Sequence, residues 1–138
     1  MATRRTFLRT LALLGAALYV RVPSVFAGTS RAGARHSLAA KLIACVEAKK
    51  SAEIVGLEYL RAFPAEGNAE QLASLIGSGL SKPSQSLARA SRKEIKSLLT
   101  RQQRDDFAAD RIVNVGGWVL SCSEARLYAL VALSVAAR

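Results

Sequence analysis

The run from Ile112 to Ala136, IVNVGGWVLSCSEARLYALVALSVA, changes its period halfway, and that change decides the fold. Ile112, Val113 and Val115 precede Gly116 and Gly117, and Trp118, Val119 and Leu120 follow them. Two short β-rich segments around paired glycines predict a hairpin, because the turns that match strand twist need positive φ at both central residues. A lone hairpin is marginal in water, so this one must pack on other elements, and Trp118 is the residue expected to do it. Ser121 and Glu124 then have the spacing of a capping box. The Ser121 hydroxyl is expected to accept from the amide of Glu124, and the Glu124 carboxylate to return to the amide of Ser121. A helix from Cys122 to about Ala136 follows, uncharged from Leu127 to Ala137. That stretch is a central buried helix or a tail touching a membrane. Since crossing a bilayer core takes about 20 residues, its length favours the core.

Upstream, Leu38, Leu42, Ile43 and Val46 recur at three- and four-residue steps, which predicts a helix from Ser37. Lys49, Lys50 and Ser51 interrupt the pattern; Ile54, Leu57, Tyr59, Leu60 and Phe63 resume it until Pro64 stops it. One bent helix and two separate helices both fit. Gly67 and Asn68 mark a turn, with Asn68 placed to cap a short helix whose apolar face is Leu72, Leu75 and Ile76. After a break around Pro83, a longer helix is expected from Ser84, with Leu87, Ile95, Leu98 and Leu99 on one side. Arg89, Arg92, Lys93 and Lys96 fall within about 100 degrees of each other on the opposite side. Phe107 would land on that basic side, so the helix is expected to bend or end before it. The expected architecture is mainly α: one domain over residues 37–138, with four or five helices and a small β-hairpin before the C-terminal helix.

The start of the chain is of a different kind. Thr3, Arg4, Arg5, Thr6, Phe7, Leu8 and Arg9 precede an uncharged run from Leu11 to Val20, and Arg21 separates that run from Val25, Phe26 and Ala27. A basic head, a short apolar segment and small residues at the minus-three and minus-one positions are the parts of a cleavable signal peptide, with cleavage after Ala27. Arg4 and Arg5 with Phe7 and Leu8 behind them resemble the twin-arginine consensus, in which a receptor reads the arginine pair. Gly15 and three alanines keep the apolar run modest, which fits that route better than general secretion. The resemblance implies that residues 1–27 are a twin-arginine signal peptide, that the partner at this step is the export machinery, and that the protein is periplasmic. Residues 28–36, with two glycines and no apolar period, read as a flexible lead-in.

The formal charge of +10 is partly the leader's, since Arg4, Arg5, Arg9 and Arg21 have no acidic residue beside them. The remainder is mildly basic, which argues against a nucleic-acid partner and leaves a preference for anionic headgroups or an acidic protein. Arg89, Arg92, Lys93 and Lys96 are the candidate contacts, with a plain solvated face as the alternative. Only Cys45 and Cys122 are available for a disulfide in an oxidising compartment; it would close a loop of about 77 residues and add about 4 kcal/mol. Two unpaired thiols are the other option. Cys122 at a helix start is also the one candidate nucleophile, because unpaired amides there favour the thiolate, although Glu124 opposes this. One histidine, His36, and two distant cysteines form no metal-ligand cluster, and Gly-rich phosphate loops, the Gly-x-Ser-x-Gly elbow and the haem attachment pattern are missing from the sequence. No cofactor is therefore expected, and catalysis is the less favoured role. Asp105 and Asp106, being adjacent on a helix, point apart, and with Asp110 they read as a solvated helix end.

Gly117-Trp118-Val119-Leu120-Ser121, Ser123-Glu124-Ala125-Arg126-Leu127 and Ala129-Leu130 resemble a block found in small twin-arginine-leader proteins of unassigned function. The resemblance covers the leader and about thirty C-terminal residues and brings no activity with it. In size, class and route the chain is also similar to the small helical subunits of periplasmic flavin-dependent dehydrogenases, which escort a leaderless catalytic subunit through export. The Cys-Pro and Gly-Phe-Trp ending of those subunits has no counterpart here. The twin-arginine route carries folded proteins, so the expected function is a non-catalytic accessory or escort subunit of an exported redox enzyme. The alternative is a stand-alone periplasmic binding or envelope-associated protein using the basic helix face, with peripheral membrane contact.

Overall fold

The computed structural model describes residues 37–138, together with Gly33. The leader residues Arg4, Arg5, Phe7 and Leu8, the cleavage residues Val25 and Ala27, His36 and nearly all of the lead-in lie outside the described residues.

In chain order the elements are α1 (37–44), α2 (Lys49–Ala62), a 3₁₀ turn (Pro64–Glu66), α3 (Ala69–Gly79), α4 (Ser84–Arg89), α5 (Arg92–Ala108), β1 (Ile112–Val115), β2 (Trp118–Ser121) and α6 (Cys122–Ala136). The fold is mainly α with an antiparallel hairpin before the last helix. Among the described residues there are six α-helices against the expected four or five, because the chain breaks at two places. The first falls at residues 45–48, where the amides of Cys45 and Val46 bond back to Leu42 and Ile43 in tight turns, 3.0 and 3.2 Å. Lys49, Lys50 and Ser51, expected to interrupt a helix, instead form the first turn of α2. The second break is at Ala90 and Ser91, both extended, with ψ of 145° and 159°. Ser91 Oγ accepts from the amide of Glu94 at 3.2 Å and starts α5 as an N-cap. The expected bend before Phe107 does not occur: α5 runs on to Ala108, and Phe107 stays on its outer side, 51% exposed.

α6 is the buried axis, as its uncharged second half predicts. Ala125, Leu127, Ala129, Leu130, Val131 and Ala132 are all buried, packed by α2, α3, α5 and the hairpin. Leu38 and Leu42 from α1, Leu72 and Ile76 from α3, Leu87 from α4, and Ile95 and Leu99 from α5 complete one core. The Lys41 ammonium, on α1, donates to the carbonyls of Ala88 and Ala90, which satisfies acceptors left free where α4 ends.

The inner face of α2 corrects the sequence reading. Ala52, Val55, Gly56 and Tyr59 face the core, whereas Ile54, at 65% exposure, and Leu57 face out. Gly56 is required on that face because α2 lies against the backbone of α6: a Cβ built on it would meet the Tyr128 carbonyl oxygen at 2.1 Å. A helix with its larger apolar residues inward could not approach so closely.

In the hairpin, Ile112 pairs with Ser121 and Val115 with Trp118, and Gly116 and Gly117 take φ of 56° and 84°, as the two-residue turn requires. Val115 and Leu120 are the buried residues that seat it. Trp118, expected to seat the hairpin, is instead 61% exposed, and its register partner Val115 takes the buried place at that end. Asn68 caps α3 as expected, its side chain accepting from the amides of Glu70 and Gln71 at 2.9 and 3.0 Å. Of the capping box at α6, only half forms. Ser121 Oγ accepts from the Glu124 amide at 3.1 Å, but Glu124 Oε1 accepts from the Tyr128 hydroxyl at 2.8 Å one turn on. Among the described residues, no helix is long and apolar enough to cross a membrane.

Candidate functional site

An open groove of about 530 Å³ runs between the α1–α2 turn, α5, the hairpin and α6. Its floor is apolar: Ala48, Ala52, Val55, Leu99, Leu120 and Leu127. This follows from the small inner face of α2, which comes close to α6 but leaves no long side chain to fill the space toward α5. The rim is polar. Lys96 Nζ and Glu47 Oε1 form an ion pair at 2.6 Å, and the hydrogen bond from Lys96 holds the Glu47 carboxyl below its ordinary value. At the other side the Tyr128 hydroxyl is pushed up to about 12 by burial and by its bond to Glu124. Trp118 lines the groove and also projects into solvent. Tryptophan combines a large apolar surface with an N–H donor, which suits it to stand where a partner is received.

Cys45 borders the same groove as a free thiol, its Sγ within 3.8 Å of the Arg92 carbonyl. Cys122 is a second free thiol and lies elsewhere, at the foot of α6 beside Asp106. The disulfide weighed from the sequence is not formed, and helix geometry gives the reason. Arg92 opens α5 and Asp106 lies fourteen residues along it, about 21 Å on at 1.5 Å per residue, while bonded cysteines need Cα atoms within about 7 Å. Neither thiol is activated. Burial pushes both above the ordinary value, more than Arg92 and Lys96 near Cys45, or Arg126 and Arg111 near Cys122, pull them down.

The most ordered chemistry was not visible in the sequence. Asp106, read as solvated, is only 2% exposed. Its Oδ1 accepts from Gln102 Nε2 and Arg111 Nε, both at 2.9 Å, and its Oδ2 accepts from the amide of Ser123, also at 2.9 Å. Its carbonyl accepts from the Arg111 amide at 2.8 Å. One carboxylate thus closes the end of α5, holds the link to β1 and occupies the N-terminus of α6, where unpaired amides favour negative charge. Burial alone would push this carboxyl up; the bonds from Ser123, Arg111 and Gln102 outweigh it and hold it below its ordinary value. A second knot lies nearby. Arg126 of α6 donates from two nitrogens to the two oxygens of Glu66, at 2.9 and 3.0 Å, and the Tyr59 hydroxyl donates to Glu66 at 2.7 Å. The bond from Arg126 lowers the Glu66 carboxyl, while burial and Glu66 raise the Tyr59 phenol. Arg126 carried a signal, being the only charge between Glu124 and Arg138. A cation on a buried helix needs a partner.

No family model, no curated protein and no solved structure matches this chain. Asp106 and Glu66 are ionised near neutral pH and saturated with donors, which suits them to hold elements together and not to abstract protons. Of the four basic residues marked in the sequence, one is diverted to the groove. Arg89 ends α4, Arg92 and Lys93 open α5, all three exposed, while Lys96 is engaged with Glu47 at the groove rim. The groove has an apolar floor, a polar rim and an exposed aromatic, the composition common to binding clefts.

Proposed function

We propose that this protein is an exported, non-catalytic accessory or escort subunit that binds a larger exported redox enzyme through the groove under Trp118. The observation that carries the reading is the exposed apolar surface there: Trp118, 61% exposed, beside the apolar floor of the groove. Contiguous apolar surface on a soluble domain marks a contact site, and tryptophan is enriched among residues that dominate binding. The arginine pair at the start of the chain supports export in a folded state, and a folded companion travelling with it explains why that route would be used.

Two measurements test this. A tagged full-length chain, purified from cytoplasm and from periplasm, is expected to bring down a stoichiometric companion, and Trp118→Ala to weaken that complex by about thirtyfold. Recovery of this chain alone from both compartments rejects the partnership. Separately, lysines at Arg4 and Arg5 are expected to abolish delivery of the processed protein to the periplasm, because the receptor reads guanidinium groups. Unchanged delivery, followed by immunoblotting of fractions, removes the route and with it the argument for a folded companion.

A further inference from the structure

The outer side of α5 carries a feature that the escort reading does not use. Lys93, Ser97, Thr100, Arg104 and Phe107 follow one another at four- and three-residue steps, which stacks them along one line of the helix, and all five are exposed. The line is about 21 Å long. Arg101 lies beside it, and Arg89 and Arg92 sit at its N-terminal end. Among the described residues, none of these five cations takes part in an ion pair, whereas Lys82 is tied to Glu94 and Lys96 to Glu47. Two acids flank the line, Glu94, which is tied to Lys82, and Asp105.

We propose that this face docks on an anionic lipid bilayer, with its cations against the phosphate headgroups and the Phe107 ring in the interface. Charge complementarity selects an anionic surface, since unpaired cations spread over this length gain from many phosphates at once. Phe107 selects lipid over an acidic protein. A half-exposed phenyl ring at the end of a cationic line has no role against carboxylates but enters the headgroup boundary readily. Ser97 and Thr100, small and central, let the helix lie flat, while the long arginine and lysine stems reach past them to the headgroups. A bilayer also supplies mobile charges, so the cations need no matched partner positions.

The test is sedimentation of the full-length chain with vesicles rich in phosphatidylglycerol and with vesicles of phosphatidylcholine alone. Because residues 1–27 also carry cations and an apolar run, the deciding comparison is between variants of the same chain. Lys93→Glu with Arg104→Glu is expected to lower partitioning onto the anionic vesicles by about thirtyfold. Lys49→Glu with Lys50→Glu, an equal change of net charge on α2, is expected to lower it less than about threefold. Phe107→Ser, which leaves the charge alone, is expected to cost about tenfold, and it carries the test if circular dichroism shows the double variant unfolded. Equal losses from the two charge pairs, undiminished binding of the α5 variants, or retention on a soluble polyanion with no vesicle binding at low salt would each overturn the proposal.

Discussion

Replacing Gly56 by alanine is expected to destabilise the fold by about 4 kcal/mol, a loss read as a lowered urea midpoint with unchanged slope. Intrinsic propensity predicts the opposite sign, since glycine within a helix costs about 1 kcal/mol relative to alanine. Packing decides the matter. A Cβ at this position would lie 2.1 Å from the Tyr128 carbonyl oxygen, 2.5 Å from the carbon it is bonded to and 2.8 Å from the Ala129 nitrogen. All three are backbone atoms of the buried helix, which cannot swing aside as a side chain would, so α2 and α6 would have to separate along the contact that also seats Ala52, Val55 and Tyr59. Gly79→Ala is the control. The nearest atoms there belong to the Gln102 side chain, at 3.1 Å and beyond, and the change is expected to stay within about 1 kcal/mol. A loss below about 1 kcal/mol at Gly56 as well would show that the helices slide apart at little cost and that their close approach does not hold the fold.

That close approach also marks the limit of what periodicity reveals. The last helix and the hairpin were legible, because an uncharged run, a serine cap and paired glycines each act locally. The inner face of α2 was not. Counting large apolar residues selects Ile54 and Leu57, but the helix turns its small residues inward, and only a neighbour at short range makes that preferable. The second break had a local signal of the same kind as the one at α6: Ser91 and Glu94 repeat the spacing of Ser121 and Glu124. The groove depends on the α1–α2 turn with α2, on α5, and on the hairpin with α6, so no single segment announces it. Trp118 was legible as a residue with a task, but alternation along β2 could not show that its partner Val115 would take the buried place instead.

Asp106→Ala is expected to cost about 3 kcal/mol near neutral pH, and the loss should be smaller in acid. The variant leaves Gln102, Arg111 and the Ser123 amide without their acceptor; Arg111 is half exposed and regains water, but the Ser123 amide is buried beneath it. The dependence on pH follows from the direction of the carboxyl's shift. Burial raises it, the bonds from Ser123, Arg111 and Gln102 lower it further, and the folded value falls below the unfolded one, about 3.9. Stability linked to this group is therefore fully present above that unfolded value and is lost as the pH falls through the lower folded one. Glu66, lowered by its bond from Arg126, adds to the same acid limb. Urea midpoints measured between neutral pH and about pH 2 should thus fall steeply for the wild type and less steeply for Asp106→Asn, which keeps the size of the side chain and cannot titrate. An identical acid slope in the two proteins would mean that Asp106 is not held as a buried carboxylate, and the account of how one side chain joins α5, the hairpin and α6 would have to be abandoned.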